Sequence, residues 1–227
     1  MDSEDGRALE RVASAVRQFD DVLASSVGVV EDRCSFEPLA RVSVGAERTR
    51  TDPVERMLHR RSLRPGKKGG PCVGPTKRGK GTKLMVLGDG ASTPLGIHVD
   101  SASPAEVTLV DKTLDSVSVA RAHHPGRPRK YPDRLIGDRG YDSNTLRESL
   151  ARRGIEPIIP KRRNNTIATH QDGRKLRRYK RRWKIERTHS WLFNFRRLVV
   201  RYEHSVDNYL GLIHMACAII TLRAVMK

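Results

Sequence analysis

Arg134-Leu135-Ile136-Gly137-Asp138-Arg139-Gly140-Tyr141-Asp142 reads as a short apolar strand that ends in an acid and breaks at once into a turn. An apolar run stopped by glycine is the mark of a buried strand, and its neighbours decide the fold. Upstream, Thr82–Leu87 and Pro94–Val99 predict two strands paired around Gly88-Asp89-Gly90 as a hairpin. Between hairpin and acid, Ser103-Pro104-Ala105-Glu106 is a helix N-terminal signature: Ser caps, Pro pre-sets the first turn, Glu reaches back. Val107, Val110, Leu114 and Val117 supply its apolar face. Downstream, Leu146 and Leu150 mark a helix stopped by Gly154. Ile155–Ile159 predicts a further strand, and Tyr209–Val225 a largely buried terminal helix. This order predicts an α/β fold, a mixed sheet with helices packed on it.

The charge is uneven. The 227 residues carry a formal +18, yet residues 1–60 hold nine Arg, no Lys and twelve Asp or Glu, a net −3, which leaves +21 for residues 61–227. A change of sign at one point suggests a boundary. Leu9, Val12, Ala13, Val16, Phe19 and Leu23 keep helical spacing, and beyond Val30 the pattern dissolves, so the N-terminal segment reads as partly helical and poorly defined. No run approaches the ~18 consecutive apolar residues of a membrane span. The acidic start, Met1-Asp2-Ser3-Glu4-Asp5, is not that of a secretory signal. Cys34, Cys72 and Cys217 read as reduced thiols, offering neither a disulfide framework nor a Cys-x-x-Cys zinc site. These features point to a cytoplasmic protein.

Residues 64–81 are rich in Gly and Pro, which predicts a flexible loop, and Lys67, Lys68, Lys77, Arg78 and Lys80 make it basic. Such a loop between core strands suits a phosphate backbone. After a basic linker over 161–178, the predicted helix sets Tyr179, Arg182 and Glu186 on one face. Asp138 and Glu186 thus stand forty-eight positions apart amid Lys and Arg, as metal-assisted phosphodiester chemistry on nucleic acid requires. Other polar residues have plainer readings: Asp89 as a turn former, Asp142 as a helix N-cap, His189 and both Trp183 and Trp191 as packing residues. His123-His124 lack ligand partners at zinc spacing.

Residues 62–227 resemble the DDE transposases of bacterial insertion sequences, in the insertion-sequence-five grouping. The matching stretches are Lys67-Lys68-Gly69-Gly70, Gly74 to Lys83, Ser101-Ala102-Ser103-Pro104-Ala105-Glu106, Asp138 to Asp142, and Tyr179 to Tyr202. The resemblance implies a ribonuclease H-like domain in which three carboxylates hold two Mg²⁺ ions for DNA strand cleavage and transfer. Asp138 matches the second carboxylate and Glu186 the third, as catalytic and metal-binding residues. Tyr179 and Arg182 match the signature around that Glu, with Arg182 at DNA phosphate. The Lys often found seven residues after the Glu is Phe193 here. The implied partner is double-stranded DNA, both the terminal inverted repeats and the target, handled in the bacterial cytoplasm at the nucleoid and compatible with a homodimer on DNA.

The first carboxylate is missing. The family carries Asp-Gly-Ser directly before the stretch matching Leu63–Gly70, whereas this chain has Arg60-Arg61-Ser62. Residues 48–59 alternate poorly and include Pro53, which argues against a strand there. Residues 1–61 therefore read as a divergent or out-of-frame segment before an incomplete transposase domain, 62–227. Two functions stay open: a transposase that is inactive or partial, and a non-catalytic DNA-binding remnant that competes for transposon ends.

Overall fold

In the computed structural model, residues 56–77, 79–119, 130–165 and 177–226 are described. Leu84, Met85, Val86 and Leu87 are fully buried, so their strand is covered on both faces and reads as one continuous apolar run. That strand, β3 (Gly79–Gly88), is the hub of the sheet. It pairs antiparallel with β1 (Arg56–Pro65), β2 (Gly74–Thr76) and β4 (Pro94–Ser101). Gly81 pairs with both β1 and β2, and Thr82 with both β1 and β4, so β2 and β4 share the edge opposite β1. On its other side β1 runs parallel to β5 (Arg134–Ile136), and β5 parallel to β6 (Glu156–Ile158).

Strand alternation sorts the core into two layers. Leu84, Val86, Ile97, Val99, Ile136 and Ile158 face one way. They meet Ile185 and Leu192 of α3 (Trp183–Phe193), Leu198 of α4 (Arg196–Val199), and Tyr209, Ile213 and Cys217 of α5 (Val206–Val225). Met85, Leu87, Leu95 and Leu135 face the other way. Leu114 of α1 (Val110–Asp115) and Leu146 and Leu150 of α2 (Asn144–Arg152) cover them. The α/β expectation holds, with helices on both faces of a mixed sheet. No helix among the described residues is long and apolar enough to cross a membrane.

Several local expectations need correction. β1 forms from Arg56 to Pro65, where the sequence argues against a strand, and it runs straight through residue 61. Eight register pairs with β3 impose it, from Leu58↔Gly88 to Pro65↔Gly81. The supposed loop 64–81 accordingly has strand at both ends and β2 within it. Ser103 does not cap a helix: a 3-10 turn begins at Glu106 behind Ala105, whose carbonyl accepts from the Thr108 amide, while the Lys83 ammonium donates to the Pro104 carbonyl. Asp142 is likewise no cap; Ser143 holds the N-cap position of α2 without a side-chain bond. Gly154 does end α2, at φ +73°, which only glycine adopts cheaply. Cys72 is disulfide-bonded, against the expectation of a reduced thiol, whereas Cys217 is free and buried.

Candidate active site

Asp138 lies two residues past β5, in extended backbone that starts a 3-10 turn over Arg139–Tyr141. Its Oδ1 accepts from the Arg139 amide at 2.7 Å, which fixes the carboxylate at the strand end. The same oxygen receives the Tyr179 hydroxyl at 3.3 Å and Arg182 Nη1 at 3.0 Å. Arg182 Nη2 lies 3.1 Å from Glu186 Oε1, so one guanidinium spans both predicted carboxylates. The expected helix is divided, with Tyr179 and Arg182 on a 3-10 turn (Arg177–Arg182) and Glu186 on α3, yet all three side chains converge. Burial raises the Tyr179 phenol above its usual value; Arg182 opposes this and the Asp138 charge adds to it, so the hydroxyl stays a donor. The Asp138 and Glu186 side chains are 50% and 40% exposed. Ion pairs so open to water contribute only about 0–1 kcal/mol, so the cluster does little for stability and is accessible to a ligand.

Two supports escape the sequence reading. The first grips α3. Lys184 donates to the Gly90 carbonyl, Arg187 Nη2 to Ser92 Oγ at 2.8 Å, and Thr188 Oγ1 to the Ser92 carbonyl at 2.7 Å. These three polar residues sit at i, i+3 and i+4, one helix face, which is the signal that could have revealed them. The turn they hold is organised by Asp89, whose Oδ1 accepts from the Ala91 and Thr93 amides at 2.8 and 2.7 Å. At Gly88 a Cβ would come within 3.0 Å of Ile185 Cδ1, so glycine permits the close approach of the helix. The second support holds the turn after Asp138. Arg162 donates to the carbonyls of Arg139 and Gly140, and Asp142 receives the Arg162 amide at 2.6 Å, Arg147 Nη2 at 2.8 Å and Asn165 Nδ2 at 3.2 Å.

Asp142 carries a testable consequence. Burial pushes its carboxyl upward, but the Arg162 amide, Arg147 and Asn165 outweigh burial and hold it below the usual carboxylate range. With a folded value below the unfolded one, the stabilisation is present above the unfolded pKa of about 3.9 and disappears as pH falls through the folded value. Asp142→Asn is expected to cost roughly 3 kcal/mol at pH 7, and this gap should close as pH falls through the lowered folded value. Thermal melts across pH check it; a gap that persists in acid would remove the ion pair as its cause.

The remaining predicted residues lie apart. Lys67 and Lys68 follow β1, Lys77 is in the β2–β3 turn and Lys80 on β3; all four are exposed, whereas Arg78 is outside the described residues. Lys67 lies two residues past the end of β1, and the five strand residues from position 60 to Pro65 alone span about 17 Å. His123 and His124 also fall outside the described residues. His189 is buried, as expected. Trp183 is not: it is 52% exposed, and Arg187 stacks between it and Trp191 at 4.9 and 5.1 Å from the ring centroids.

Strand β1 passes directly beside the carboxylates. It pairs with β5 as Arg56↔Arg134, Met57↔Leu135 and Leu58↔Ile136. The same register carried two residues further sets backbone position 60 level with Asp138. A two-metal centre needs a denser donor set than remains here: among the described residues no group of three His, Cys, Asp or Glu side chains is disposed to hold a metal. The two carboxylates are instead shared by Arg182. These residues do not fit a two-metal site.

The family profile of the transposase DDE domain matches residues 49–221. The chain is also 35% identical over 207 residues to the assigned transposase of insertion sequence element IS402 from Burkholderia cepacia, a match covering 88% of this chain and 92% of that one. That is more of this chain than residues 62–227 supply, so the similarity reaches into the acidic N-terminal segment.

Proposed function

The chain belongs to the transposase DDE domain family, and on that premise we propose that it binds double-stranded DNA at insertion-sequence ends with little strand-cleaving capacity of its own. The observation that carries this reading is the meeting of Asp138 and Glu186 on Arg182, beside a strand whose register with β5, carried two residues further, sets backbone position 60 level with Asp138. Asp138 and Glu186 are the second and third family carboxylates. In the intact family a first one completes a Mg²⁺ site that supplies the activated nucleophile and stabilises the leaving oxygen. In sequence the position of that first carboxylate is Arg60, a residue type that is no metal ligand.

The sheet supports a ribonuclease H-like reading of residues 62–227: antiparallel β4, β3 and β1, then parallel β5 and β6, with the acids at the end of β5 and on α3. The long match to the IS402 protein supports treating residues 1–61 as a divergent part of the same chain rather than an out-of-frame one. Tyr179 and Arg182 at the carboxylates, with the exposed Lys67, Lys68, Lys77 and Lys80 around the start of β3, support a DNA-binding set to which the sequence adds Arg78. Such a protein works in the bacterial cytoplasm at the nucleoid, and a homodimer on paired ends suits it.

Binding is expected to be strongly salt-dependent. With +21 over residues 61–227, the slope of log K against log salt should be about 0.9 per phosphate neutralised. Fluorescence anisotropy on a labelled duplex from 50 to 200 mM salt measures it, and an affinity flat across that range removes the proposal. Substituting Lys67, Lys68 and Lys80 together by Ala should lower the slope by two or more.

A further inference from the structure

Among the described residues two arginines are buried, and they differ in one respect. Arg201 is fully buried and bonded at every guanidinium nitrogen: it reaches Thr82 Oγ1 at 2.9 Å and the carbonyls of Cys72, Glu203 and His204 at 3.1–3.3 Å. Arg64, on β1 and paired with Thr82, is 1% exposed, yet its Nε and Nη2 are buried with no hydrogen-bond partner. No carboxylate pairs with it among the described residues. Its neighbours are the Tyr209 phenol and the ring of Phe193, whose centroid lies 3.8 Å from the guanidinium carbon. Ser62, two residues earlier on the same side of the same strand, also has a buried hydroxyl without a partner.

A charged donor shut away from water without an acceptor is costly, and folds seldom keep one without use. What covers Arg64 is slight. Phe193 is the last residue of α3 and is itself 44% exposed, so its ring stands between the guanidinium and solvent. The face of an aromatic ring is a weak substitute for an anion. A rotation of this one side chain opens the site, a motion of the kind exposed rotamers make in picoseconds to nanoseconds. The donors beneath it have the planar fork that fits a phosphate.

We propose that Arg64 is a reserve phosphate ligand, kept under Phe193 and engaged by a phosphodiester of bound DNA when the ring swings aside. This rests on the DNA-binding reading above. Arg64 lies four residues along β1 from the level of Asp138, about 13 Å, so a nucleic-acid strand lying across Asp138 and Glu186 passes over Phe193 within a few nucleotides. The opened fork takes one phosphate, and the Ser62 hydroxyl adds a neutral donor on the same side.

The test uses the full chain, a short labelled duplex, and the variants Arg64→Met, Phe193→Ala and their combination. Arg64→Met should weaken binding about tenfold at moderate salt and lower the salt slope by about 0.9, one phosphate. Phe193→Ala should tighten binding several-fold, and should do nothing once Arg64 is Met. Without DNA, Arg64→Met should melt no lower than the parent, since the orphan donor holds nothing together. If the parent binds DNA and Arg64→Met binds with the same affinity and slope, the proposal falls and the DNA-binding reading stands. If the parent fails to bind, both fall. A lower melting temperature for free Arg64→Met would show that Arg64 already serves the fold itself, and Phe193→Ala with parental affinity would show that the ring is no gate; either result overturns the proposal.

Discussion

Arg60→Asp combined with Arg61→Gly is expected to give Mg²⁺-dependent cleavage of the element's own ends at least about 100-fold above the unmodified chain, the scale on which single preorganised electrostatic groups act. The reason is positional. β1 exists as a strand from Arg56 and is held by β3 on one side and β5 on the other, so position 60 is level with Asp138 before any substitution is made. Poor alternation over residues 48–59 would have predicted only weak rescue, and the formed strand reverses that expectation. The new carboxylate would join Asp138 and Glu186, and a cation would then compete with the Arg182 guanidinium for the pair. Calorimetric Mg²⁺ titration and an end-cleavage assay check this, with Asp138→Ala in the same background expected to abolish the gain. Robust cleavage by the unmodified chain, lost on Asp138→Ala, would defeat the reading of an incomplete site.

Arg201→Met should be among the most damaging single substitutions in the fold, costing about 4 kcal/mol. It strips donors from Thr82 Oγ1 and from the Cys72, Glu203 and His204 carbonyls at once, and each buried group left unpaired costs about 1–3 kcal/mol. The backbone of the same residue joins the two halves of the domain's edge, donating to the Pro65 carbonyl at 2.9 Å and accepting from the Lys67 amide at 2.9 Å. Against a total stability of about 5–15 kcal/mol, that is a large fraction. Urea unfolding of Arg201→Met beside Arg64→Met provides an internal comparison, since the same change at a bonded and an orphan guanidinium should give opposite outcomes. A loss below 1 kcal/mol at Arg201 would mean that its carbonyl partners find water instead.

What could be read from the sequence follows from where the stabilising contacts lie. The β3–β4 hairpin was legible because continuous apolar runs flank a Gly-Asp-Gly turn, and both strands are buried. α2 was legible from Leu146, Leu150 and Gly154, all local signals. β1 was not: Arg56-Met57-Leu58-His59-Arg60-Arg61 has little strand character, and the strand is imposed by two neighbours distant in sequence, the kind of context that overrides propensity. The acids of the site stood out through their motifs. Their supports did not, because Arg162 reaches back to residues 139 and 140, and α3 is tied to a turn nearly a hundred residues earlier. Trp183 was misassigned to the core because a tryptophan stacked on an arginine can remain at the surface, where its periodicity looks the same as that of a buried one.

That stacked pair has a spectroscopic consequence. The chain contains two tryptophans, and both are on α3, four residues to either side of Arg187 and within five of Glu186. Intrinsic indole emission from the whole protein therefore arises from a single helix. One emitter faces solvent and the other is half-buried, with a cation between them. Quenching by iodide or acrylamide, or a wavelength shift on adding nucleic acid or a divalent cation, would report on the surroundings of Glu186 with no label attached.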